Sequence, residues 1–192
     1  MNKYLLTSLL ALTSVTANAD PSYQYIQTSW VRLHFADIDA FRPIGLQIEG
    51  SYAFADDFFA RLSYTDADDS EATVKFDVEQ WQAAFGYVWQ FSHTTAMDLQ
   101  LGYGDIALAG RSASTSARTG TQYWSVGWNV RHMLNQNIEL VGGLEWQTWR
   151  KGSDQKAYTL GGQYHFDRFS VGAEYTKYSD SEWVGVTGRF SF

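Results

Sequence analysis

The sequence predicts an all-β fold: a transmembrane antiparallel up-and-down β-barrel of ten strands, with eight as the alternative. Three observations predict it. Apolar residues alternate with small or polar ones along most of the chain, the connections between these stretches are short and long by turns, and aromatic residues gather at both ends of the stretches. The stretch at the end of the chain is the plainest case. Val184, Val186, Phe190 and Phe192 share one face, interrupted by Gly188, while Gly185, Thr187, Arg189 and Ser191 fill the other. A strand that is apolar toward lipid and polar toward a lumen has this pattern, because successive side chains point to opposite faces.

Taken in order, the chain begins with Lys3, an apolar run from Leu5 to Thr16, and the small residues Ala17-Asn18-Ala19. That order is expected of a cleavable signal peptide over residues 1–19, leaving residues 20–192 as a single barrel domain. The first strand is expected from about Tyr23 to Phe35, with Tyr23, Tyr25, Val31 and Leu33 competing with Ile26 and Trp30 for the lipid face. In the second, Ile44, Leu46, Ile48, Tyr52 and Phe54 alternate with Gly45, Gln47, Glu49, Ser51 and Ala53. The third sets Phe58, Ala60, Leu62 and Tyr64 against Phe59, Arg61, Ser63 and Thr65. The fourth sets Trp81, Ala83, Phe85, Tyr87, Trp89 and Phe91 against Gln80, Gln82, Ala84, Gly86 and Gln90.

The alternation continues with Met97, Leu99, Leu101 and Tyr103, then with Trp124, Val126, Trp128 and Val130. Next come Ile138, Leu140, Gly142, Leu144 and Trp146, followed by Tyr158, Leu160, Tyr164 and Phe166. After the Asp167-Arg168 turn, Phe169, Val171, Ala173 and Tyr175 lead to the final strand. Long polar connections are expected over Ala36–Arg42, Asp66–Asp77, Asp105–Gly120 and Arg150–Lys156, and a short one over Ser179–Glu182. Phe54, Phe58, Phe91, Phe166, Phe169 and Phe192 fall at the short-turn end; Trp81, Trp124, Trp146, Trp183, Tyr103 and Tyr175 fall at the other. Two aromatic belts on one set of strands suit the two interfaces of a bilayer.

Composition fits this reading and removes others. No stretch after the first approaches the ~20 apolar residues of a membrane-spanning helix. A closed barrel pairs every backbone group while needing only every second side chain to be apolar, so modest hydropathy is no objection. The absence of cysteine excludes disulfides and thiolate metal sites. A net charge of −7 without basic clusters argues against a nucleic-acid partner.

With its signal peptide, its alternating strands and its terminal Phe190-Ser191-Phe192, the chain resembles the small bacterial outer-membrane barrel proteins, the group of the OmpA transmembrane domain and OmpX. The resemblance implies location in the outer membrane of a Gram-negative bacterium, contact with outer-membrane lipids and lipopolysaccharide, and delivery by the outer-membrane assembly machinery. Val186, Phe190 and Phe192 would be the signal which that machinery reads. No cofactor is implied. The motifs are shared by proteins of many activities, so the resemblance leaves the role open.

Three sets of residues are candidates for chemistry. Glu49, Glu139, Glu145 and Glu174 are expected inside with Arg61, Arg131, Arg189 and, at the outer end of the first strand, Arg32. Charges away from bulk water need partners, so a compensated network filling the lumen is expected, with a narrow pore as the alternative. Asp66, Asp68, Asp69 and Glu71 form an acidic loop, read as solvated and self-repelling; its spacing lacks the pattern of a calcium-binding loop. Arg111 and Arg118 flank a small, polar loop and could meet lipopolysaccharide phosphates or an unknown surface receptor. His34, with Asp37 and Asp39 beyond it, is the sole histidine expected near the outer rim. The His-x-Ser motif of lipid A deacylases is missing, and the expectation is a non-catalytic protein acting in envelope integrity and surface interaction.

Overall fold

The computed structural model describes residues 21–36, 41–55, 57–71 and 74–192. They form ten strands: β1 (Tyr25–Phe35), β2 (Ile44–Ala55), β3 (Phe58–Glu71), β4 (Val74–Ser92), β5 (Thr95–Arg111), β6 (Ser116–Met133), β7 (Ile138–Trp149), β8 (Gln155–Phe166), β9 (Phe169–Lys177) and β10 (Ser181–Ser191). Each pairs with its neighbours in sequence, and β1 pairs antiparallel with β10 from Tyr25↔Ser191 to Phe35↔Ser181, closing the barrel. Closure leaves no unpaired edge, which a sheet in lipid cannot tolerate. The count is ten, and the eight-stranded alternative is excluded. The expected signal segment lies outside the described residues.

Side-chain direction follows the alternation. Ile26, Trp30, Leu46, Ile48, Leu62, Leu101, Trp128, Leu144, Leu160, Val171 and Val186 are exposed on the outer wall, where lipid covers them. In β1, where the two faces compete, Tyr25, Val31 and Leu33 are buried inside and Ile26 and Trp30 face out. Arg32 shares the outward face, which corrects its expected place in the lumen.

Both aromatic belts exist as ring contacts. At the short-turn end Phe58 lies 5.5 Å from Phe85 and 5.0 Å from Tyr87, and Phe169 lies 5.0 Å from Phe190. At the other end Tyr103 bridges Trp81 at 5.7 Å and Trp124 at 4.9 Å, with Tyr158 and Tyr175 6.2 Å apart further round. Trp183 is not part of this belt: it is on the lumen side of β10, packed among buried apolar residues.

The largest departure from expectation is at the outer end. The stretches read as long loops, Asp66–Asp77 and Asp105–Gly120, are largely antiparallel strand, paired out to Glu71↔Val74 and Arg111↔Ser116. β4, β5 and β6 run to 19, 17 and 18 residues, whereas crossing lipid takes about 9–11. The surplus carries β3–β6 beyond the outer aromatic belt as a four-stranded extension. Above the membrane the alternation is reversed: Phe76, Val78, Ile106 and Leu108 turn inward and the outward face is polar, so the stretch looked like loop.

Large inward rings are accommodated by glycine on the facing strand. Phe59 lies over Gly86, directly opposite in the ladder, and a β-carbon there would sit 2.3 Å from the ring. Tyr123 lies over Gly104 in the same way, at 2.6 Å.

Candidate functional site

The interior is built in three tiers. At the short-turn end Phe59, Val88 and Ala96 form a buried apolar cluster with Tyr23 and Ala53 against it. Residues preceding β1 reach into this end. Tyr23 donates to Asp98 Oδ2 at 3.0 Å, and its ring lies 4.8 Å from Phe59. Arg131 reaches Glu139 on the neighbouring strand β7: its Nε is 2.5 Å from Oε1, its Nη1 donates to the Ser22 carbonyl at 2.6 Å, and its guanidinium stands over the Tyr23 ring. The second oxygen of Glu139 is 2.9 Å from His165 Nε2. Glu139 is fully buried, so its charge depends on these partners.

The middle tier is polar. Tyr25 donates to Glu49 Oε1 at 2.7 Å, Arg61 approaches the other Glu49 oxygen at 3.9 Å, and Arg189 donates to Gln27 Oε1 at 2.9 Å beneath the Tyr25 ring. Glu145 accepts from Gln82 at 3.2 Å and Gln147 at 3.0 Å. Asp98 also accepts from Gln100 at 2.6 Å and Asn129 at 2.9 Å. Around them is a cavity of about 130 Å³, which Glu174 also lines. Arg131 Nη2 and Arg189 Nη1, on two residues that border it, have no protein partner among the described residues. The cavity has room for several waters to satisfy them.

The outer tier is apolar again: Val31, Leu33, Ala67, Phe76, Val78 and Ile106 form a buried cluster, with Leu108, Trp149 and Trp183 packed on it. Two further spaces follow the lumen outward, one of about 70 Å³ and one of about 160 Å³. Tyr178 lines all three cavities.

Glu49, Arg61, Arg131, Glu139, Glu145, Glu174 and Arg189 thus all reach the interior. Sequence reasoning missed Tyr23, Tyr25, Asp98 and the run of glutamines that link the charged groups. The signal was present, since Asp98 and Gln100 alternate with Met97, Leu99 and Leu101.

The acidic and arginine segments come together on the outward face of the β3–β6 extension, as strand residues and not as two loops. Lys75 lies 2.9 Å from Asp77 and 3.3 Å from Asp68; Arg111 lies 3.6 Å from Asp77, and Arg118 donates to Glu79 at 2.8 Å. Above the belt, hydrogen bonds to Asp77 and then Asp68 hold the Lys75 ammonium above the ordinary lysine pKa. Asp69 points inward and caps the chain before β2, accepting from the Arg42 amide at 2.6 Å. The acidic run is therefore strand, split between faces, with Asp68 paired to Lys75 and Asp69 bonded to a backbone amide, which corrects the reading of a solvated, repelling loop. Among the described residues no group of three or more His, Asp or Glu side chains gathers as a metal site. His34 is in β1 opposite Glu182 of β10. Asp37 and Asp39 lie outside the described residues.

Comparison with known proteins agrees with this architecture. The chain is similar to Neisserial surface protein A at 12% identity, over 89% of this chain and 98% of that one, with a TM-score of 0.50. It is similar to the β domain of the Bordetella autotransporter Brka at 11% identity, over 88% and 98%, also with a TM-score of 0.50. Ail, the attachment invasion locus protein of Yersinia pestis, aligns at 14% identity over 86% and 95%, with a TM-score of 0.47. No curated protein matches the chain. The family model described as outer membrane protein beta-barrel domain matches residues 5–176. The chain therefore belongs to that family of Gram-negative outer-membrane barrels.

Proposed function

We propose that this is a non-catalytic outer-membrane barrel that acts in envelope integrity and presents the β3–β6 extension to the cell surface, its lumen serving as structure and not as a passage. The observation that carries this reading is the three-tier filling of the interior. A buried apolar cluster lies toward each end, and polar side chains bridge the lumen, Tyr23 bonding Asp98 of β5 and Gln82 of β4 bonding Glu145 of β7. The extension supports the surface role. Its cross-strand ion pairs hold Arg111 and Arg118 in place while leaving both side chains more than half exposed, within reach of the phosphates of lipopolysaccharide.

A narrow channel is the second reading, favoured by the succession of cavities along the lumen. Planar-bilayer recording of the refolded protein separates the two. The expected result is no steady conductance from protein with the heat-dependent gel mobility of a folded barrel. Discrete, reproducible conductance steps would replace the first reading with the second.

A further inference from the structure

The cavity at the outer end, about 160 Å³ in volume, has walls unlike those of the other two. Phe35, Ile106, Leu108, Trp149 and Trp183 supply an apolar enclosure. A space of this size accommodates a guest about the size of a benzene ring. The rest of the wall is polar, with Gln80, Gln155 and Asp180 beside the hydroxyls of Tyr178 and Ser181. Gln155 is 4% exposed and donates through Nε2 to Asp180 Oδ2 at 2.8 Å. A carboxylate can only accept, so this bond fixes which way the Gln155 amide faces. Gln155 Oε1 is then left without a partner among the described residues, as is Gln80 Oε1. Both residues line the cavity, together with Asp180. The Trp149 indole N–H is already engaged, donating to Gln147 Oε1 at 2.9 Å.

We infer that this cavity binds a small hydrophobic molecule with a protic head, an apolar body of about one aromatic ring carrying an amine or hydroxyl group. The ring occupies the space between Trp149, Trp183 and Ile106. The head donates to Gln155 Oε1, and the Asp180 carboxylate favours a cationic or neutral head over an anionic one. A buried acceptor left unpaired is costly, so a guest that supplies the missing hydrogen bond is selected over one of the same shape that cannot.

The test uses the refolded full barrel in micelles, with its tryptophan indoles labelled with nitrogen-15 and the Trp149 signal assigned through Trp149→Phe. Benzylamine, toluene and benzoate are titrated separately. The expected result is a saturable shift of the Trp149 indole with benzylamine, weaker binding of toluene, and none of benzoate. Gln155→Leu is expected to weaken benzylamine about tenfold while leaving toluene unchanged. Ile106→Phe, which fills the cavity, is expected to abolish both. Gel mobility checks that each variant is folded. Equal binding of all three probes, no saturable shift with benzylamine, or benzylamine binding that survives Ile106→Phe would overturn the assignment.

Discussion

Arg131→Ala is expected to destabilise the folded barrel by about 3–5 kcal/mol, because it leaves the Glu139 carboxylate buried without its arginine partner. The carboxylate is enclosed at the short-turn end, where Arg131 Nε and His165 Nε2 each meet one oxygen. The substitution also removes the bond from Arg131 to the Ser22 carbonyl, which helps hold the segment before β1 in the lumen. Removing both charges together has a different consequence. A leucine pair at positions 131 and 139 loses the attraction but also the desolvation cost, and is expected to lie close to the parent protein in stability. Urea unfolding in lipid vesicles, followed by tryptophan fluorescence, checks both. Equal losses in the single and double variants would show that the pair is not the source of the effect.

Gly45→Ala is expected to cost about 3 kcal/mol, the upper range for overpacking, or to prevent folding altogether. A β-carbon at Gly45 would lie 1.9 Å from the Asp66 carbonyl oxygen and 2.4 Å from the Ala67 α-carbon. Both are backbone atoms of the paired strand, which move only if the β2–β3 ladder moves. Gly50→Ala, on the lipid face of the same strand with nothing within 4 Å, is the matched control. It is expected to change stability by less than about 0.5 kcal/mol. The same unfolding measurement compares them, and indistinguishable midpoints would mean that β2 and β3 do not approach as described.

How much of this was legible in the sequence depended on where each residue sits relative to the lipid. Within the hydrocarbon, lipid and lumen differ so strongly in polarity that alternation alone placed Ile48 outside and Glu49 inside, and located four tight turns. Asp167-Arg168 is the sharpest of these, with Asp167 at φ 58°, a left-handed conformation that aspartate tolerates better than most residues. Where that contrast fades, the pattern misleads. In β1 both faces carry large apolar groups, because its inner residues Val31 and Leu33 join the apolar cluster at the outer end. Trp183 was placed in the belt for the same reason. Tryptophan suits an interface, and nothing local says that this one faces inward.

Above the membrane the signal changes again. Asp68 and Lys75 look like solvated loop until the β3–β4 pairing brings their side chains together on one face. The charged lumen residues were found because charge inside a barrel stands out. Asp98 and the glutamines were overlooked because one acid among small polar residues resembles ordinary filling. The 160 Å³ cavity had no sequence signature, since it is assembled from the ends of several strands and from the β9–β10 connection.

The central claim is that the lumen is sealed from the outer surface, and the absence of native cysteine makes it directly testable. Ser63 faces the middle of the lumen and borders two of its cavities, and a cysteine there is nearly isosteric. Arg118 stands on the exposed outer face of the β3–β6 extension. Ser63→Cys and Arg118→Cys are each treated with a charged, membrane-impermeant thiol reagent applied to the outer side of the refolded barrel in vesicles. The account predicts fast labelling at position 118, and at position 63 labelling only after unfolding. Comparable rates at the two positions in folded protein would contradict it.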